Sequence, residues 1–278
     1  MRPDEREFVY TAADFEQVRR LLYQRAGINL ASSKESMVYS RLARRLRTLG
    51  LSRFSEYFDY LHSHSEELEQ FTNALTTNLT AFFREAHHFP LLAGHLQRLY
   101  QQQQRPLRIW CTASSTGEEP YSLAMTAVEA FASWQPPVAI LASDIDTKVL
   151  ATAAAGIYDQ ERLADMSLER KQRFFWKGKG GNAGYARVRD ELRALVDFRQ
   201  INLLAPAWPV APGLDAIFCR NVMIYFDRPT QLQLLTRLMA QLQPEGLFFA
   251  GHSESFAHAG HLVTLNGRTV YRHARGAS

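Results

Sequence analysis

The sequence predicts an α/β protein, with a doubly wound parallel sheet preceded by an all-helical N-terminal region. Three observations predict it. Residues 107–122, LRIWCTASSTGEEPYS, run from apolar residues into small hydroxyl residues, then one glycine, two carboxylates, a proline and a helical pattern. That is strand, loop and helix N-terminus, the place where open α/β sheets hold ligands. The same grammar recurs at ILASDID (140–146) and at LDAIFCRNVMIYF (214–226), so three polar strand ends point to one crevice. Residues 11–75, by contrast, carry helical periodicity and no strand pattern.

The elements follow in order. Thr11 with Asp14 predicts a capped helix start, Phe15, Val18 and Leu22 share its buried face, and Gly27 ends it. A second helix runs from 34 to 49 on the stripe Val38, Leu42, Leu46 and Leu49, stopped by Gly50. A third begins near Ser52 and buries Phe54, Tyr57, Phe58 and Leu61. Residues 66–99 are helical with a break at 76–80, and Pro90 suits a first helical turn. The glutamine run at 101–104 and Pro106 mark entry to the α/β part. Strands are predicted at 107–112, 138–143, 195–199, 215–219, 246–251 and 268–273. Helices fall at 121–133, 147–155 and 229–242, the last with Leu232, Leu235, Leu238 and Leu242 along it. The last two strands have no helix between them, which predicts an antiparallel closure of the sheet edge. Between 174 and 188, FFWKGKGGNAGYARV places Gly178, Gly180, Gly181 and Gly184 among aromatic and β-branched residues, the pattern of a small hairpin-rich insertion rather than a mobile loop.

Composition narrows the function classes. An apolar fraction of 46% fills a sizeable core, and a formal charge of +4 is too small to demand nucleic acid. Two cysteines, Cys111 and Cys219, both in strand-like runs, read as buried thiols and exclude a disulfide framework. The charged start MRPDEREF is not a signal peptide, and no 18-residue apolar run exists. The expectation is a cytoplasmic protein without membrane insertion.

The crevice carries the chemistry. With only Gly117 after the first strand, the G-x-G-x-x-G dinucleotide fingerprint is missing, and so is a P-loop. A cofactor there is expected to lack phosphates or to expose them elsewhere, and S-adenosylmethionine meets that condition. A carboxylate after the second strand, Asp144 or its neighbour Asp146, can accept both ribose hydroxyls. Glu118 or Glu119 can take the ammonium, Arg84 can pair with the carboxylate in a fork, and Asn202 can meet the adenine edge. Each residue alone is equally compatible with capping or surface roles. No metal site is expected: His87 and His88 are adjacent, His252 with Glu254 lacks a third ligand, and nothing near His258 and His261 supplies one.

Between 34 and 53 there are six basic residues and one acid, Glu35. Arg41, Arg44 and Arg45 share a helix face away from the apolar stripe, suited to an acidic partner, either nucleic acid or a protein surface. In the insertion, Arg187 and Arg189 alternate with Val188.

At these residues the chain resembles the CheR-type chemotaxis receptor methyltransferases. The resemblance spans nearly the whole chain. It runs through KESMVYSRLARRLRTLGL (34–51), LTTNLTAFFREAHHFPLL (75–92), STGEEPYS (115–122), ASDIDTKVL (142–150), INLL (201–204), DAIFCRNVMIYFDRPTQ (215–231) and GLFFAGHSESF (246–256). It implies a Rossmann-like class I methyltransferase sheet with an inserted small antiparallel β subdomain. It implies methyl transfer from S-adenosylmethionine to receptor glutamates, giving methyl esters and S-adenosylhomocysteine. Carried onto this sequence, cofactor contacts fall on Asn78, Thr80, Arg84, Glu118, Asp144 and Asn202, and catalytic roles on Arg220 and Tyr225. The resemblance alone decides for Glu118 over Glu119 and Asp144 over Asp146. The implied layout is a receptor-docking helical domain at 1–75, a helical linker at 76–100 contributing to the cofactor site, and a methyltransferase domain at 101–278 with its β subdomain at about 172–195. The implied partners are methyl-accepting receptors, met at their methylation helices by Arg41, Arg44 and Arg45 and at a C-terminal peptide by Arg187 and Arg189. The enzyme is expected to act as a monomer without nucleic acid.

Overall fold

A computed structural model describes residues 6–274; most of the polar start on which the absence of a signal peptide was read lies outside them. The chain divides into two units. One runs to Thr77 and takes in Tyr225–Thr230; the other comprises Asn78–Ile224 with Gln231 onward.

The first unit is helical. Helix α1 (Ala12–Ala26) starts at Thr11, whose hydroxyl accepts from the Asp14 amide while the Asp14 carboxylate accepts from the Thr11 amide, and stops at left-handed Gly27. Helix α2 (Glu35–Leu49) follows a single 3-10 turn and ends at Gly50, φ 68°. Helices α3 (Phe54–Ser63) and α4 (Ser65–Leu75) complete it. Val18, Leu22, Val38, Leu42, Leu46, Tyr57 and Phe71 are fully buried. Inside this unit the Asn29 amide donates to the Tyr225 carbonyl at 2.8 Å, and the Tyr23 hydroxyl donates to Asp227 at 2.7 Å. Those bonds group Tyr225 with the helices, whereas sequence order alone assigned it to the methyltransferase domain.

The helices and strands of the second unit begin with α5 (His88–Gln103) and continue with β1 (Leu107–Cys111), α6 (Glu118–Ala130), β2 (Val138–Asp144), α7 (Thr147–Ala155), β3 (Ile157–Asp159), α8 (Leu168–Phe174), β4 (Phe175–Lys177), β5 (Tyr185–Val188), the single turn α9 (Asp190–Arg193), β6 (Val196–Gln200), β7 (Leu214–Cys219), α10 (Arg228–Gln241, of which the part from Gln231 belongs to this unit), β8 (Leu242–Ala250), β9 (Val263–Leu265) and β10 (Val270–His273). The main sheet has the order β6-β2-β1-β7-β8-β10-β9. Its first five strands pair in parallel, and β10 is antiparallel to both neighbours. This is a doubly wound parallel sheet closed at one edge by an antiparallel pair. Strand order reverses between β1 and β7, so the carboxyl ends of β1, β2 and β7 flank the switch point where doubly wound sheets bind ligands.

Several boundaries differ from the sequence reading, each for a packing reason. Helix α5 belongs to the second unit, not to a linker, because Phe89, Leu92, Leu96 and Leu99 enter the same core as Leu107, Ile109 and Cys111. The expected 76–80 break extends to residue 87. Strand β8 begins at Leu242, so the last leucine of the predicted α10 stripe lies in the sheet, and the helix buries Leu234, Leu235, Leu238 and Met239. The insertion is not a hairpin confined to 172–195. It is a three-stranded sheet, β3-β5-β4, whose first strand at 157–159 precedes that range. Strand β3 is only three residues long, too short for alternation to reveal it.

Candidate functional site

The site is built from strand ends. Strand β2 ends on Asp144, a buried carboxylate whose two oxygens accept the Ser115 amide at 2.9 Å and the Asp146 amide at 3.0 Å. Burial raises its pKa to about 6, against the pull of these amides. Each oxygen keeps lone-pair capacity for a further donor. Its neighbour Asp146 is differently engaged. One oxygen caps α7 by accepting from Lys148 and Val149, and the other accepts from the Asn78 side chain at 2.9 Å. The ambiguity of the DID motif thus resolves into one capping aspartate and one aspartate facing the β1–α6 loop. The Asp144 carbonyl also accepts from Ile201, which brings Asn202 to the same strand end; the Asn202 side chain folds its own turn by accepting from Leu204 at 2.9 Å.

Helix α6 begins three residues earlier than expected, so Glu118 and Glu119 are its first two residues, where the helix dipole favours negative charge. Successive helical residues point about 100° apart, and the two carboxylates accordingly serve different sides. Glu118 is buried, accepts from Thr116 and pairs with Arg162. Glu119 accepts from Cys111 Sγ and pairs with Arg220 at 2.8 Å; burial raises its pKa despite Arg220. Gly117 has φ 100°, and a Cβ there would lie 2.7 Å from the Tyr158 hydroxyl and 2.9 Å from Ala153 Cβ. The glycine therefore serves helix packing, not phosphate approach.

Arg220, just beyond β7, is buried. Its guanidinium pairs with Glu119, lies 3.5 Å from Glu85 and donates to the Arg84 carbonyl. Burial works to raise the Glu85 pKa, but Arg220 and bonds from His252 outweigh it and hold it low. The segment preceding α5 is wound tightly: Phe83 and Glu85 have φ 54° and 56°, and Arg84 between them donates to the Leu79 carbonyl. Ser115 Oγ donates to the Asn78 carbonyl, tying that segment to the β1–α6 loop. Thr80 lies in the same segment, half-buried. Asn78, Arg84, Glu118, Asp144, Asn202 and Arg220 thus lie within one connected set of loops. Tyr225 closes the 3-10 turn Met223–Tyr225 and groups with the helical unit.

The residues present fit S-adenosylmethionine. Asp144 is a buried carboxylate with spare acceptor capacity of the kind a diol needs, Glu118 is a second at a helix N-terminus, and the Ser114 hydroxyl beyond β1 is buried without a hydrogen-bond partner among the described residues. One trio, Glu85, His87 and His88, brings potential metal-ligand atoms within 4.8 Å of one another. The Arg220 guanidinium beside Glu85 opposes a cation there.

The docking candidates separate. Arg45 makes a two-pronged pair with buried Glu67 (2.9 and 2.6 Å), and Tyr57 donates to the same carboxylate. Arg41 donates to the carbonyls of Ala74 and Thr76. Both join α2 to α4 and its end, whereas the sequence reading gave them only an acidic partner to hold. Arg44 is exposed and has no side-chain partner among the described residues. In the β subdomain Arg187 is exposed and pairs with Asp190, while Arg189 stacks 3.8 Å over the Trp176 ring. The two arginines therefore do not act as an equivalent alternating pair.

Arg162, Glu85 and Glu254 were missed as site residues. Arg162 carries no local signal, because its partner is 44 positions away. Glu85 adjoins Arg84 within a motif already singled out, and Glu254 was weighed only as a metal ligand.

Comparison with known proteins agrees with this geometry. Residues 78–271 match the family described as CheR methyltransferase, SAM binding domain, and residues 13–76 match CheR methyltransferase, all-alpha domain. The chain is 63% identical over 265 residues to chemotaxis protein methyltransferase 2 of Pseudomonas aeruginosa, covering 95% of this chain and 94% of that protein. It is 52% identical over 261 residues to the chemotaxis protein methyltransferase of Escherichia coli K12, covering 93% and 90%.

Proposed function

The chain belongs to the CheR methyltransferase family, and from that membership we propose how its residues divide the work. It is an S-adenosylmethionine-dependent protein-glutamate O-methyltransferase that converts side-chain carboxylates of methyl-accepting chemotaxis receptors to methyl esters in adaptation. The observation that carries the residue assignment is the convergence of Asp144, Glu118 and Arg220 at the carboxyl ends of β2, β1 and β7. Asp144 accepts the ribose hydroxyls, and Glu118 holds the ammonium in place of, or beside, Arg162. Arg84 pairs with the cofactor carboxylate, Asn202 meets the adenine edge, and Asn78 and Thr80 close the cofactor in.

Bound cofactor supplies a methyl group on a cationic sulfur, whose departure as a neutral thioether takes the electron pair of the breaking S–C bond. The receptor carboxylate is already ionised at neutral pH, so the enzyme needs no general base. Its task is alignment of oxygen, methyl carbon and sulfur, which supplies much of the barrier reduction. Arg220 orients the acceptor carboxylate. Glu119 and Glu85 offset its charge and so limit its blunting of the nucleophile. Tyr225 orients through its hydroxyl.

Receptor engagement has two surfaces. Exposed Arg44 on α2 meets the acidic methylation helices. The β subdomain takes a receptor C-terminal peptide as an added strand, which raises local substrate concentration without changing the chemical step. The enzyme works in the cytoplasm, recruited to receptor arrays.

Incubation with methyl-labelled cofactor and either receptor cytoplasmic fragment or nucleic acid, followed by base, tests the reading. Base-labile label released as methanol from receptor alone is expected. Base-stable label on nucleic acid, or cofactor binding with no transfer, overturns it.

A further inference from the structure

The turn after β8, residues 251–254 (GHSE), has no part in the division of work proposed above, yet it touches the surroundings of Arg220 from two directions. Glu254 is 5% exposed. Its Oε2 accepts the amides of Asn221 at 3.0 Å and Gly251 at 2.7 Å, and its Oε1 accepts the Met223 amide at 2.8 Å. These bonds fold the segment that leaves Arg220. Within it Asn221 has φ 58°, the left-handed conformation that asparagine tolerates better than most non-glycine residues. From the other side, the His252 amide donates to Glu85 Oε1 at 3.2 Å, with ring Nδ1 3.2 Å from the same oxygen. The other Glu85 oxygen lies 3.5 Å from Arg220. Gly251 makes the approach possible: a Cβ there would lie 2.3 Å from Asn221 Nδ2 and 2.9 Å from its backbone nitrogen.

We propose that the 251–254 turn is the template that aims Arg220, with Glu254 as a positioning residue for methyl transfer. Glu254 fixes the path of the backbone leaving Arg220, and His252 fixes the Glu85 carboxylate that flanks its guanidinium. The cost of burying Glu254 is offset by three amides that would otherwise lack acceptors. This inference rests on the assignment of Arg220 to the acceptor carboxylate.

Glu254→Gln preserves size but replaces one acceptor oxygen with an NH2 group that faces backbone N–H donors. The expected result is a kcat on receptor fragment at least tenfold lower, counted per site titrated with S-adenosylhomocysteine, with affinity for that ligand within threefold of the parent. A purely structural role would lower the number of competent sites or the Tm and leave kcat per site unchanged, and that outcome overturns the proposal. Gly251→Ala, which displaces Asn221 without removing the carboxylate, should show the same split and serves if Glu254→Gln does not fold. In the cycle with Arg220→Lys, which keeps the charge but loses the fork, the double variant should be no slower than Arg220→Lys alone. Multiplying losses overturn the proposal. A slow Arg220→Lys beside a normal Glu254→Gln sinks the Glu254 role alone; near-normal turnover of Arg220→Lys removes the Arg220 assignment and the proposal with it.

Discussion

Asp144 and Asp146 are the same residue type two positions apart, and only their partners distinguish them. Asp146 is occupied as a helix cap, while Asp144 sits buried with spare acceptor capacity. Burial raises the Asp144 pKa to about 6 in the folded protein, above its ordinary value near 4. By linkage, the stability this group contributes is fully present below the ordinary value and is lost as pH rises through about 6. Cofactor binding has the opposite sense, because the ionised form accepts the hydroxyls. Affinity for S-adenosylhomocysteine, measured calorimetrically between pH 5 and 8, should weaken progressively below about pH 6. Asp144→Asn should bind more weakly and lose that pH dependence; a parent affinity flat across the window would refute the ribose role. Tyr225→Phe should lower kcat at least tenfold while leaving cofactor affinity within threefold. Equal losses in the two measurements would assign Tyr225 to cofactor binding instead. The chemistry of such positions was legible in the sequence as residue types at strand ends. The choice between neighbours was not, because it depends on hydrogen bonds made across long stretches of chain.

Helix α2 shows how an element's face divides between structure and docking. The i, i+3, i+4 spacing correctly placed Arg41, Arg44 and Arg45 away from the apolar stripe, but helical spacing carries no information about α4. Arg45→Ala strands the buried Glu67 carboxylate and should destabilise the protein by about 3 kcal/mol, the lower range for a broken buried pair. Arg44→Ala should leave stability within about 0.5 kcal/mol. It should slow methylation of receptor at low salt, with the deficit shrinking as salt rises. Thermal melts and salt-dependent rates check both; a stability loss at Arg44 or none at Arg45 would reverse the assignments. In the β subdomain, β5 is the central strand, so the edges available for an added peptide are those of β3 and β4. Trp176 lies opposite Arg187, and Arg187 opposite Ile157, placing all three on one exposed face. Trp176→Ala or Arg187→Ala should weaken a receptor C-terminal peptide at least tenfold by fluorescence titration, with cofactor affinity unchanged. No saturable binding to the parent would remove the tether.

At the scale of the whole chain, α5 decides where the catalytic unit begins. Leu96 is fully buried in the core shared by α5, α6 and the sheet. Leu96→Ala should cost about 2–5 kcal/mol, read as a lowered Tm, whereas a linker helix would tolerate the change. The sequence by itself determined the fold class, the order of the main helices and most strands, the cofactor's chemical class and the strand ends that carry the chemistry. Hydrophobic period, capping residues and the residues closing a strand are local properties, written within a few positions of one another. Only the tertiary structure decided that Asp146 caps while Asp144 faces the crevice, that Arg45 holds α4, that β3 opens the inserted sheet, that Tyr225 groups with the helices and that Glu254 folds the segment after Arg220. Each of those outcomes is a contact between residues far apart along the chain, and such a contact exists only once the chain has closed on itself.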